Sequence, residues 1–304
     1  MKHLLRFALT LALPAMLVFG NLSLRAGDEA YRTFIPSIAP AAAAYTPTEF
    51  HPPYAAPDIC DTENDVFMAG EKIVYKLYYN WNFVWLPAGE VTFQVNDLND
   101  QYHVTVRGRT YESYEWLYAV DDNYESYLDK ETLLPVIHIK DVHEGGYTRF
   151  DRTVFDQENN KAVSMRGKTR DELKEKKMDL EGCMHDLISI VYYARNLDPQ
   201  AMTHGDKIPI TILMDQEVHP LSLKYLGRSE RKKVKGVGRF DTHIFSPQLI
   251  AGEVFKKNDE MKIYVTNDQN KLPVLIESPV SVGSVKAVLK SYQGLKYPMT
   301  AEVE

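Results

Sequence analysis

The chain is short of cysteine, of positive charge and of long apolar runs, and each shortage removes a class of function. Only Cys60 and Cys183 are present, with no CxxC spacing and no neighbouring Cys or His cluster, so neither a dithiol redox motif nor a cysteine-based zinc site is encoded. In an oxidising compartment the two could instead form a disulfide closing a very long loop; whether they pair stays open at this level. Lys and Arg number 35 against 42 Asp and Glu, a formal net charge of −7. Removing Lys2, Arg6 and Arg25 with a leader takes it from −7 to −10. Such a chain lacks the cationic excess that nucleic-acid backbones require. One basic run exists, Arg228 to Lys235, between two strand-like segments; it reads as a solvated hairpin tip or as a contact for a lipid headgroup or polyanion.

No Walker A loop, H-E-x-x-H, G-x-S-x-G elbow or dinucleotide fingerprint occurs, and no cofactor is implied. The histidines are scattered, and His138 and His143, five residues apart in a strand, point to opposite faces. Cys183 and His185 lie two apart, a spacing that does not bring side chains together on a helix. If the protein were an enzyme, Glu90, Asp186 and His185 are the residues to inspect for shifted pKa values.

The one uncharged run, Phe7 to Phe19 after Lys2, His3 and Arg6, is too short to cross a membrane comfortably. It has the layout of a secretory signal peptide ending at small Ala26, and no Cys follows it for lipidation. Export to the periplasm or cell exterior is expected. Residues 27–66, with six prolines and an alanine run, read as a linker or an arm lying over the domain.

What is abundant is strand. From Ile73 to Trp85 every odd position is apolar or aromatic, a period of 2, and a second alternating run carries Val91, Phe93 and Val95 beyond a break at Pro87-Ala88-Gly89. The segment Tyr111–Tyr127 holds five tyrosines and a tryptophan, which serve as core or line a groove, around an apparent turn at Asp121-Asp122-Asn123. Leu134-Pro135-Val136 recurs as Leu272-Pro273-Val274, with Gly145 and Gly283 at the same offset. The repeat predicts two related β-meander halves, about 67–168 and 205–295, within one β-rich domain over 67–304. Residues 170–181 are ambiguous between helix and hairpin. One helix is expected over 184–197, from Met184, Leu187, Ile188, Val191 and Ala194.

In order along the chain, Gly70-Glu71-Lys72 entering Tyr75, then Pro87-Ala88-Gly89, Asp186 with Ser189 ahead of Tyr192-Tyr193-Ala194-Arg195, Tyr225-Leu226-Gly227, Asp268 through Leu272-Pro273-Val274, and Gly283 ahead of Leu289 resemble the bacterial exported family of domain of unknown function 3108. The likeness runs from about 67 to 292. It departs in the aromatic segment Asn80–Leu86 and at Tyr264, where tryptophan is the family expectation. The resemblance implies export and a β-rich fold. More distantly, the meander is similar to periplasmic lipoprotein carriers of the LolA/LolB type, whose curved sheet wraps an acyl chain around a plugging helix.

The expected fold is therefore mainly β, a curved antiparallel sheet or open barrel with a single main helix. A concave apolar face is a ligand site or a filled core. The leading expectation is a non-enzymatic binder of a lipid or other apolar ligand, lined by Tyr75, Tyr79, Trp81, Phe83 and Trp85. The alternative is an interaction module that docks an envelope protein or glycan through exposed aromatics or a sheet edge.

Overall fold

The computed structural model describes residues 54, 56, 58–81, 84–116, 118–249, 260–280 and 283–304, with the backbone alone at Trp81. Alternation sets the strands. Along β1 (Lys72–Trp81), Ile73, Tyr75, Leu77 and Tyr79 are buried while Lys72, Lys76 and Asn80 are half-exposed. The chain continues through β2 (Val84–Leu98), β3 (Gln101–Thr110), a single helical turn α1 (Glu112–Glu115), β4 (Asp121–Asp129) and β5 (Pro135–Glu144). After β6 (Tyr147–Asp156), β7 (Lys161–Gly167) and β8 (Lys174–Asp179) comes the helix α2 (Ser189–Arg195). The second run is β9 (Lys207–Met214), β10 (Glu217–Val234), β11 (Gly238–Pro247), β12 (Lys262–Thr266), β13 (Pro273–Pro279) and β14 (Ser284–Gln293), with the short β15 (Glu302–Val303) on β11.

Every strand pairing is antiparallel and joins sequence neighbours, with two exceptions: β1 also pairs β14, and β15 pairs β11. The spatial order is β8 down to β1, then β14 down to β9, so two meanders are welded at β1 into one sheet whose ends are β8 and β9. Those ends are not laddered to each other. The residues before α2 attach to the β9 end instead: the Leu213 amide donates to the His185 carbonyl at 2.8 Å and the His185 amide to the Thr211 carbonyl at 3.3 Å, a parallel bridge. Opposite them the β9–β10 turn reaches the β5–β8 wall through its side chains. Asp215 meets Lys140 at 3.1 Å and Arg166 at 2.8 Å, and the Gln216 amide donates to Ser164 Oγ at 3.0 Å.

Several elements differ from the sequence reading. β2 already begins at Val84, paired with Trp81, and Pro87-Ala88-Gly89 sits inside β2 as a bulge, where the register jumps from Leu77↔Gly89 to Tyr78↔Pro87. Gly89 is needed there because a Cβ would stand 2.2 Å from the Arg109 carbonyl oxygen. Asp121-Asp122-Asn123 opens β4 and is not a turn. Residues 174–179 form a strand, which resolves that segment as a hairpin. The helix is regular only over Ser189–Arg195, since Met184–Asp186 is spent on the bridge to β9 and on the cap.

The two Leu-Pro-Val segments occupy equivalent turns. Each follows a residue in the left-handed region, Leu133 (φ 59°) and Lys271 (φ 45°). In each, an aspartate Oδ1 accepts from the amides two and three residues on: Asp129 from Glu131 and Thr132, Asp268 from Asn270 and Lys271. The second turn is one residue shorter, so Asp129 is matched by Asp268.

Candidate functional site

The core on the β9–β13 side is built by α2. Its residues Ile190, Val191 and Ala194, with Leu187 just before it, face Ile210, Ile212, Leu223, Phe245, Ile263 and Ile276 across a cavity of about 150 Å³. Helix and sheet both turn apolar side chains inward here because their periods of 3.6 and 2 are in phase with the interior. Three polar side chains stand at its margin, Tyr75, Tyr192 and Arg195, and the first and last are already committed. Tyr75 Oη donates to the Pro273 carbonyl at 2.8 Å, and burial pushes the phenol well above its ordinary range. The Arg195 guanidinium forms a double hydrogen bond to Glu71, at 2.6 and 2.9 Å, and donates to the Asn270 carbonyl. The cavity therefore offers an apolar wall and no unsatisfied charge. Apolar cavities of about 150 Å³ stay dry and take benzene-sized molecules.

The helix is held in place by a buried polar knot. Asp186 Oδ1 accepts the amides of Ile188 and Ser189, each at 2.7 Å, while Ser189 Oγ accepts the Asp186 amide at 2.9 Å, a reciprocal cap of the helix start. Asp186 Oδ2 takes the Ser126 hydroxyl at 2.5 Å and stands 3.4 Å from His138 Nδ1. Burial opposes ionisation of Asp186, but His138, Ser126 and the helix amides outweigh it and hold the carboxyl below its ordinary range. His185 Nδ1 lies 2.9 Å from Ser189 Oγ; burial depresses its pKa to about 4, so the ring is neutral at neutral pH. His185, Asp186 and Ser189 are all fully buried. Their contacts serve the first turn of α2 and the β4–β5 wall, which is a positioning role.

The β4–β7 side of the interior is charged, a feature the sequence reading missed. Asp122, Lys140, Glu144 and Asp151 are buried, and Arg166 is nearly so. Desolvation, and then the proximity of Asp122, push the Glu144 carboxyl far above its ordinary range; desolvation raises Asp122 as well. The signal was present: Asp122 is in phase with Tyr124 and Leu128, and Lys140 and Glu144 with Val142.

Of the residues expected to line a ligand site, Tyr75 reaches the cavity and Tyr79 is buried in the larger core without lining it. Trp85 does not join them. Trp85 pairs with Asn80 across the β1–β2 ladder and lies half-exposed with the Lys286 ammonium 4.4 Å from its ring. The Trp81 side chain and Phe83 lie outside the described residues, as do the proposed signal peptide 1–26 and the arm up to residue 53. From the arm's end, Tyr54, Ala56 and Ile59 pack against the α2 cluster, and Cys60 is disulfide-bonded to Cys183, with Cα atoms 5.3 Å apart. Glu90 is on the outer face, far in sequence and environment from His185 and Asp186. Burial would raise its pKa, but Lys290 at 2.5 Å and the Tyr111 hydroxyl at 2.7 Å hold it below the ordinary range. Among the described residues no helix is long and apolar enough to cross a membrane, and no group of three or more His, Cys, Asp or Glu is placed to hold a metal ion.

An open antiparallel barrel, plugged by one helix that leaves an apolar pocket against the wall, is the class of protein these features define. The chain belongs to the family described as protein of unknown function (DUF3108), whose model matches residues 74–290. In structure it is similar to a crystallised β-barrel-like protein of domain of unknown function DUF1849 from Brucella abortus, with a TM-score of 0.51 and 12% identity over 75% of this chain and 98% of that one. At that identity the likeness concerns the fold alone. No curated protein matches the chain.

Proposed function

We propose that the protein is an exported, non-enzymatic binder of an apolar or amphipathic molecule, whose apolar part enters the cavity between α2 and the β9–β13 wall. The observation that carries this reading is the pocket itself: about 150 Å³ lined almost wholly by aliphatic and aromatic side chains, with the Arg195 guanidinium and the Tyr75 phenol both satisfied internally. A ligand carboxylate would have to displace Glu71 from Arg195, so the portion that enters is uncharged: one ring or a short length of hydrocarbon chain. The basic-hydrophobic N-terminus and the Cys60–Cys183 disulfide support export to an oxidising compartment.

The test is binding of the neutral fluorophore N-phenyl-1-naphthylamine to the mature protein. Ala194→Phe, which fills the pocket from the helix, is expected to weaken binding at least about tenfold with an unchanged far-ultraviolet spectrum, the effect of losing roughly 1.4 kcal/mol or more of apolar contact. Equal binding by the wild type, Ala194→Phe and Ile263→Phe would place the probe elsewhere and refute the proposal.

A further inference from the structure

A second concavity, of about 640 Å³, opens between β6, the β7–β8 hairpin and the β9–β10 turn. Five cations line it: Arg149, Arg166, Lys168, Lys174 and Lys176. The one carboxylate of the lining, Glu175, lies 3.6 Å from Lys177. Three of the five cations have partners within the protein. Arg166 is neutralised by Asp151 and Asp215, and the Lys176 ammonium donates to the Gln216 carbonyl at 2.9 Å. Arg149, Lys168 and Lys174 have no carboxylate at ion-pair distance among the described residues; Arg149 Nε donates to the Tyr147 hydroxyl at 3.0 Å. Lysines on an edge strand also discourage strand addition, which would account for Lys174 and Lys176 on β8. It does not account for Arg149 on β6 or for Lys168 in the hairpin loop.

In a chain with a net charge of −7, three cations with no carboxylate partner among the described residues, converging on one concavity, oppose the general field and focus a local positive potential. The Arg149 guanidinium and the two lysine ammonium groups match the oxygens of a phosphate group. We propose that this groove binds a phosphate-bearing small molecule or headgroup. The groove stands apart from the apolar cavity: the two share no lining residue.

Calorimetric titration of the full mature protein with inorganic pyrophosphate tests the groove, and flotation on phosphatidylcholine vesicles with and without phosphatidic acid tests the lipid source. Wild type is expected to bind pyrophosphate with an affinity that falls as salt rises. Lys168→Glu/Lys174→Glu should lose at least about tenfold, while Lys233→Glu/Lys235→Glu, the same charge change on the β10–β11 hairpin, should keep it. Vesicle binding that requires phosphatidic acid and is displaced by pyrophosphate assigns a lipid headgroup; pyrophosphate binding without vesicle binding assigns a free phosphate compound. Absence of both, or equal loss in the two double reversals, overturns the proposal. Ala194→Phe should leave this binding intact, so failure here and failure of the apolar pocket are separately visible.

Discussion

At the scale of single residues, the Asp122–Glu144 pair gives the molecule a definite pH signature. Both carboxyls face the interior, both are raised by burial, and their proximity makes double ionisation unfavourable, so the native state holds a proton that the unfolded chain releases. A raised carboxyl pKa means the native state binds more protons, and stability therefore falls as pH rises from the ordinary carboxylate range toward about 9, where Glu144 is pushed. Urea unfolding between pH 5 and 9 should show that decline. In the Glu144→Gln variant, whose amide can donate to Asp122 without carrying a proton that titrates, the decline should shrink and stability at pH 8 should rise by on the order of 1–2 kcal/mol. A wild-type profile that is flat or rising over that window would refute the shared proton. This pair was hidden in the sequence because Asp121-Asp122-Asn123 has turn composition. Composition lost to phase: Asp122 keeps step with Tyr124, Ser126 and Leu128, and the register to β3 makes all four inward-facing.

At the scale of elements, α2 has only seven residues and is far too short to stand alone. Three ties hold it: the Asp186–Ser189 cap, the Cys60–Cys183 bond just before it, and the Arg195–Glu71 pair at its end. In that pair the guanidinium is 4% exposed, its carboxylate partner is fully buried, and the arginine also stacks toward Phe67 and Tyr192. Losing one partner strands a buried charge, so Arg195→Met should cost about 3–5 kcal/mol, whereas Glu71→Leu/Arg195→Met together should recover most of it. Denaturant midpoints of the two single variants and the double variant measure the coupling; simple additivity would mean the pair does not act as a unit. The helix was legible from its apolar spacing; its true start was not read, although Asp186 and Ser189, three apart as a reciprocal cap requires, carry the signal. Read by periodicity alone, Met184 and Leu187 extend it by a turn, because a buried bridge to β9 also demands apolar residues. Glu71 and Arg195 carried no sequence signal of partnership across 124 positions.

At the scale of the whole molecule, alternation made the strands legible and the Leu-Pro-Val recurrence made the two meanders legible, since both are local patterns. The seam between β8 and β9 was not, because single residues from distant segments build it: Asp215 against Lys140 and Arg166, and His185 against β9. The disulfide belongs to that seam. It spans 123 residues and joins Cys60, just after Tyr54, Ala56 and Ile59 that pack against the α2 cluster, to the segment that bridges β9 two residues later. In the chain-entropy account, closing so long a loop stabilises the native state by about 4–5 kcal/mol. Cys60→Ser/Cys183→Ser should therefore unfold at markedly lower denaturant, and its losses should not be uniform. The amide of Leu213, whose acceptor is the His185 carbonyl, should exchange with solvent faster by orders of magnitude more than amides of the β1–β2 ladder at the centre of the sheet. Equal acceleration at both places would mean that the bond stabilises the fold only globally. A selective effect at Leu213 would make the disulfide the fastener of the open edge, and with it of the helix that walls the apolar cavity.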